Sequence, residues 1–324
     1  MSVVSRRAFL QAAAIAASLP TLRLAAQASR PFQSTFRVAV ISDEISQDFD
    51  HACSVIANDF GLQWVELRGL WSKNILKLDD ADIAKANGIL DKYKLRVTDI
   101  ASPLFKANWP GAPVSPYGPK TDTFGADFAF KQQEEVLEKS IALAKQFKTD
   151  RVRCFDFWRL DDQKPYREAI DAKLIEAAKT AGKQDILLVL ENEYECNTAT
   201  GRESARTLAA VQSPHLKLNW DPGNAVARGE LDAFPAGFSA IPKARIGHCH
   251  VKCAVAKPGT KSGFEWAAVG QGLPDWVAQF RALKQAGYRD AVSLETHWTG
   301  GGSPEASSRT SWAGMKAALE KAEA

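Results

Sequence analysis

The chain has 324 residues, 45% hydrophobic and 24% charged, the balance of a soluble globular protein with apolar material for a sizeable core. Its formal charge of +3 belongs to the first 28 residues, where Arg6, Arg7 and Arg23 stand without an acid; beyond them the 41 basic residues fall to 38, against 38 acidic ones. No basic field remains for a nucleic acid, and five scattered cysteines do not read as a disulfide framework.

At the N-terminus, Ser5-Arg6-Arg7-Ala8-Phe9-Leu10 is a twin-arginine pattern, Ala12 to Leu19 is a mildly apolar run, and Ala26-Gln27-Ala28 offers an A-x-A cleavage site. Residues 1–28 are therefore expected to be a cleavable signal, with the twin-arginine export machinery as partner and the periplasm or another exported location as destination. The run is too short and alanine-rich for a stable membrane span. That route carries chains already folded, often with a cofactor inserted, which agrees with reduced thiols and a preloaded metal.

From Phe36 onward, short apolar runs alternate with longer stretches of helical spacing. The predicted strands are Phe36–Ile45, Trp64–Leu67, Leu95–Ala101, Arg151–Phe157, Ile186–Glu191, Leu216–Trp220, Ile246–Val251 and Ala291–Glu295. Between them, Val136, Leu137, Ser140, Ile141, Ala144 and Phe147 share one helical face, and Ile170, Leu174, Ala177 and Ala178 another. Gly182 and Gly287 stand where helices should stop. Eight such alternations in roughly 290 residues match an α/β fold of the (β/α)8 TIM barrel type, a single domain over residues 36–320. A doubly wound open sheet uses the same alternation, but no G-x-G-x-x-G or Walker-type run follows any strand. Pro103 to Gly125, rich in proline, glycine and aromatics, is too long for a plain connection and reads as a lid or a disordered insert.

Chemistry in such a barrel sits at the C-terminal strand ends. Strands five to eight end at Glu191, Asp221, His250 and Glu295, separated by 30, 29 and 45 residues. Three carboxylates converging on one mouth repel one another, and a divalent cation holds them together. Three oxygens and one imidazole suit Mn²⁺, Mg²⁺ or Co²⁺ better than a closed structural zinc site. In Arg245-Ile246-Gly247-His248-Cys249-His250, the two histidines point to the same side of a strand. His250, nearer the end, is the expected ligand, and His248 a supporting or core histidine; taken alone, both read as core residues.

The stretches LLVLENEY, LKLNWDPGNA, RIGHCHVKC and VGQGLPDWVAQFRALKQAGYRDAVSLETHW resemble the xylose isomerase-like barrel superfamily. It includes the sugar phosphate isomerase/epimerase group, inosose dehydratases and ketose 3-epimerases. The resemblance runs from about Arg37 to about Trp298 and implies that Glu191, Asp221, His250 and Glu295 bind one divalent metal (Mn, Mg, Co or Zn). It also implies that Glu191 and Glu295 transfer protons from opposite faces of the substrate. Asn224 stands where several relatives have histidine, and Cys253 where many have aspartate. The branch that cuts DNA at abasic sites needs many more histidines than His51, His215 and His297 can add.

The expected activity is that of a metal-dependent sugar isomerase or epimerase, abstracting a proton beside a carbonyl through a cis-enediolate. A lyase or hydrolase acting on keto-sugars or keto-glycosides shares that first step, and a non-catalytic carbohydrate-binding barrel is the third reading. Further candidates for substrate contact are Glu193, Asn224, His248, Lys252, Arg153, Glu66, Trp109 and His297, with Trp158 and Trp298 as stacking surfaces. Glu66 and Arg153 could instead form a core salt bridge. The sequence leaves the sugar, the native metal and homo-oligomerisation open.

Overall fold

Runs such as Leu187–Glu191 and Ile246–Val251 bury both faces, the pattern of strands covered on each side. The structure, a computed structural model, describes residues 31–116, 127–260 and 262–324. There the apolar runs form eight parallel strands: β1 (Arg37–Val40), β2 (Trp64–Leu67), β3 (Arg96–Leu104), β4 (Arg151–Cys154), β5 (Leu187–Glu191), β6 (Leu216–Trp220), β7 (Ile246–Val251) and β8 (Ala291–Leu294). Hydrogen bonding runs β1-β8-β7-β6-β5-β4-β3-β2, and a parallel bridge between Ile41 and Glu66 joins the two ends. The result is the expected (β/α)8 TIM barrel.

The helices are α1 (Phe49–Ser54), α2 (Asp80–Tyr93), α3 (Gln133–Gln146), α4 (Arg167–Gly182), α5 (Gly201–Ala210), α6 (Pro222–Ala227), α7 (Trp276–Gln285) and α8 (Pro304–Glu323). Short polar side chains start most of them: Asp48, Asp79, Thr200, Asp221, Asp275 and Ser303 each accept from the first turn's backbone N–H groups. The helix α3 face buries Val136, Leu137, Ser140, Ile141 and Ala144, as the spacing predicts. Gly287, at φ 77°, takes the left-handed turn after α7. Gly182 is needed for space instead, since it is the last residue of α4 and a Cβ there would run into the His215 ring.

Several strand ends move. The first predicted strand stops at Val40, because Ser42–Glu44 winds into a 3-10 turn that aims Asp43 and Glu44 at Arg68. The fourth stops at Cys154, before Phe157 turns left-handed at φ 68°. The third continues past Ala101 to Leu104, so the first two residues of the Pro103–Gly125 stretch are strand. Further along it, Val114 bridges to Leu160 and the Ser115 N–H donates to the Arg159 carbonyl at 2.8 Å. Residues 117–125 of that stretch, and the signal expected over residues 1–28, lie outside the described residues. All five cysteines are buried and free, and no helix among the described residues is long and apolar enough to cross a membrane.

Candidate metal centre

Parallel strands in a barrel bring their C-terminal ends to one rim, and four ligating side chains meet there. Glu191 ends β5, Asp221 follows β6 as the cap of α6, His250 lies near the end of β7, and Glu295 follows β8. His250 Nδ1 is 3.2 Å from Glu191 Oε1, 3.2 Å from Glu295 Oε2 and 3.6 Å from Asp221 Oδ2. Donors bound at about 2.1 Å to one ion stand roughly 3.0–3.6 Å apart, so these atoms fit a single small divalent cation. Asp221 Oδ2 adds to that fit: it is buried without a hydrogen bond, although the Lys252 ammonium is 2.9 Å away in an unaligned ion pair.

Each ligand glutamate turns one oxygen to this centre and the other to an arginine. Glu191 Oε1 faces His250 and accepts from Asn224 Nδ2 at 3.1 Å, while Oε2 accepts from Arg153 at 3.1 Å. Glu295 Oε2 faces His250 and pairs with Lys252; Oε1 accepts from Arg68 at 2.9 Å. Burial alone would raise the Glu191 carboxyl, but His250 and Arg153 together bring it down to about 2. Burial is likewise overcome at Glu295, held well below the carboxylate range first by Lys252 and then by His297 and His250. Against the pull of burial, Glu66, then Glu191 and Glu295, hold His250 well above its ordinary value, and Asp221, then Glu295 and Glu191, do the same for Lys252.

Beneath this layer, Glu66 Oε1 lies 3.0 Å from His250 Nε2. A carboxylate on the far nitrogen of a ligating imidazole fixes the tautomer that leaves Nδ1 as donor. Burial opposes the Glu66 charge, yet His250 and His248 lower it to about 2. The mutual Glu66–Arg153 core pair considered from the sequence is thus replaced by two contacts to ligands, Glu66 to His250 and Arg153 to Glu191. His248 sits one layer down, fully buried, with Nδ1 3.0 Å from Asn219 Oδ1.

The remaining candidates divide. Asn224 clamps the centre, its backbone N–H donating to Asp221 Oδ1 at 2.8 Å. Glu193 is buried beside it with Oε1 unpartnered and Oε2 3.7 Å from Lys106 Nζ, and burial raises its carboxyl. His297 holds a left-handed φ of 44°, unusual for a side chain of its size, and places Nε2 3.3 Å from Glu295 Oε1. Beside it opens a cavity of about 310 Å³, lined by Asp43, Glu44, Arg68, His297 and Trp298. Trp109 is spent on packing, its ring edge-on to Phe130 and Phe157 at 5.2 and 4.9 Å. Trp158 lies under the Lys106 ammonium, 5.2 Å from its ring centre.

Sequence reasoning missed Arg68, which holds Asp43, Glu44 and Glu295 at once. It also missed Asn192, which exchanges hydrogen bonds of 2.7 and 2.8 Å with the Asp221 backbone. Asp99 carried a signal, as an acid in the middle of the apolar run LRVTDIA.

The family model described as xylose isomerase-like TIM barrel matches residues 55–318. Among solved structures, the probable 3-DHS dehydratase from Bacillus anthracis is 18% identical, with a TM-score of 0.60 over 87% of this chain and 98% of that one. The IolI protein with a bound zinc atom is 14% identical, with a TM-score of 0.64 over 88% and 99%. The D-allulose 3-epimerase from Methylomonas sp., in complex with D-allulose, is 18% identical, with a TM-score of 0.59 over 90% and 98%. No curated protein matches the chain significantly.

Proposed function

The chain belongs to the xylose isomerase-like TIM barrel family, and from that premise we propose that it is a divalent-metal-dependent sugar isomerase or epimerase. The observation that carries this reading is the convergence of Glu191, Asp221, His250 and Glu295 on one point, each glutamate oriented by an arginine. A divalent ion bound there supplies Lewis-acid polarisation of a carbonyl and its neighbouring hydroxyl. Glu191 and Glu295 flank that position and exchange the acidified C–H proton, giving a cis-enediolate. Asn224 and Lys252 donate to its oxygens, and His297 and Trp298 face the substrate's outer end.

Solvent deuterium exchange tests the proposal. A panel of free ketoses and 3-keto sugars is incubated in D2O with the metal-loaded protein. We expect deuterium beside the carbonyl, lost with chelation and in Glu191→Gln and Glu295→Gln. Sugar binding without exchange in the wild type, unaltered by Glu295→Gln, would instead establish a binding barrel.

A second reading, a lyase or hydrolase on keto-glycosides, has one observation in its favour. The Lys252 ammonium is fully buried at the edge of the centre, where it can protonate a departing oxygen after the same abstraction. Product analysis on a keto-glycoside separates elimination from inversion. Export rests on the twin-arginine pattern, and replacing Arg6 and Arg7 by lysine should retain the protein in the cytoplasm if that proposal holds.

A further inference from the structure

Beside the ligand cluster, the cavity of about 310 Å³ carries a buried polar atom that makes no hydrogen bond. Asp43 and Glu44 line it from the turn after β1, Arg68 from the end of β2, and His297, Trp298 and Thr299 from the segment between β8 and α8. Asp43 is 7% exposed, and its Oδ2 accepts from Arg68 Nε and Nη2 at 3.1 and 3.0 Å. Its Oδ1 is the buried atom left over. A carboxylate paired with arginine only accepts, so this oxygen calls for a donor.

The remaining lining groups fix what kind of donor. Trp298 is half-buried, and its indole packs over Gly300, where a Cβ would run into the ring. An aromatic face beside fixed carboxylates suits a sugar ring, whose C–H face lies on the indole and whose hydroxyls donate to the acids. His297, at a left-handed φ of 44°, stands between the cavity and the metal centre, its Nε2 3.6 Å from Glu44 Oε1 and 3.3 Å from Glu295 Oε1. Arg68 spans the same boundary, so the cavity begins one side chain away from the ligand Glu295.

An anion fits poorly here. Asp43, Glu44 and Glu295 share one guanidinium, which leaves negative charge in surplus. The N-terminus of α8 does not offset it: Pro304 has no N–H, Ser303 Oγ already accepts from the Ala306 N–H at 3.1 Å, and Glu305 adds an acid. A phosphate or uronate would meet repulsion, and a neutral hydroxylated ring would not.

We propose that this cavity is a second sugar subsite, which takes a neutral glycosyl unit joined to the unit that reacts at the metal centre. The subsite rests on the reading of that centre as the place where a sugar reacts. It makes the preferred substrate a neutral glycoside of two units, ahead of free or phosphorylated monosaccharides.

Titration calorimetry on the metal-loaded protein tests this with unreactive probes: cellobiose, maltose, sucrose and trehalose, with glucose and glucose 6-phosphate beside them. At least one disaccharide should bind about tenfold or more tighter than glucose, the worth of a hydrogen bond to a charged carboxylate. Glucose 6-phosphate should bind no better than glucose. Thr299→Phe fills the cavity from an exposed position and should remove the disaccharide's advantage, with glucose binding and melting temperature unchanged. Should that variant fail to fold, crystals soaked in the tightest disaccharide decide, with a ring expected against Trp298 and a hydroxyl on Asp43 Oδ1. No disaccharide preference, a preference for the phosphate, wild-type binding by Thr299→Phe, or a soaked cavity holding water alone overturns the subsite. Deuterium exchange on sugars without any disaccharide preference would remove the subsite and keep the catalytic reading. Disaccharide preference without exchange would do the reverse.

Discussion

At the scale of single residues, the site works through partners that hold its ligands in place. Glu66→Gln keeps an acceptor beneath His250 but removes the charge that makes Nδ1 a strong donor. We expect the metal affinity of the Glu191–Asp221–His250–Glu295 centre to fall about 10–100-fold with circular dichroism unchanged, as read by titration against a chelating indicator. Glu195 gives a pH signature. Burial, and then the Glu193 charge, push its carboxyl up to about 7 from an ordinary 4.5. The folded chain therefore binds more protons than the unfolded chain between those values, and the Glu195 contribution to stability declines as pH rises through that window. Glu195→Gln should leave the melting temperature nearly unchanged at pH 4 and raise it relative to wild type at pH 8. The strand-end ligands were legible because each acid or imidazole closes an apolar run, where a charge has no other reason to be. Arg68 was not, since one arginine after a strand looks like any surface cation until the turn at Ser42–Glu44 folds over it.

At the scale of elements, the hydrophobic rhythm gave the eight strands, because burial on both faces leaves few alternatives. It did not give their ends, which are set by tertiary contacts: Ser42–Glu44 leaves β1 to meet Arg68, and Phe157 leaves β4 left-handed. Close approaches between elements were equally invisible, since a glycine in a helix pattern reads as a weak point. Gly314 lies in the middle of α8, where a methyl group would run into the backbone carbonyl of Val269. Helix propensity alone favours alanine by about 1 kcal/mol. The clash should reverse that sign, and we expect Gly314→Ala to lower the unfolding free energy by about 1–3 kcal/mol in urea melts. The Arg68 clamp joins the turn after β1, the end of β2 and the end of β8. Arg68→Leu strands three carboxylates in a buried place, with an expected loss of about 3–5 kcal/mol on the same measurement.

At the scale of the whole molecule, the barrel mouth gathers more negative than positive charge. Asp43, Glu44, Glu66, Glu191, Asp221 and Glu295 face Arg68, Arg153, Lys252 and the His250 ring, and nearly all are buried. Strands from opposite sides of the barrel carry these groups, so the folded chain holds them together and the unfolded chain lets them separate. A divalent ion offsets that surplus in the folded state alone, and its binding is therefore added to the unfolding free energy. At 100 times its dissociation constant the gain is about 2.7 kcal/mol, roughly 4 °C in melting temperature for a domain of this size. Melts of the EDTA-treated protein with and without added Mn²⁺, Co²⁺, Mg²⁺ or Zn²⁺ should show that shift. Asp221→Asn should abolish it, because a neutral amide at that buried oxygen, which makes no hydrogen bond, no longer attracts the cation. Equal shifts in wild type and variant would place the stabilising ion elsewhere on the molecule and remove the Glu191–Asp221–His250–Glu295 centre from the account of its chemistry.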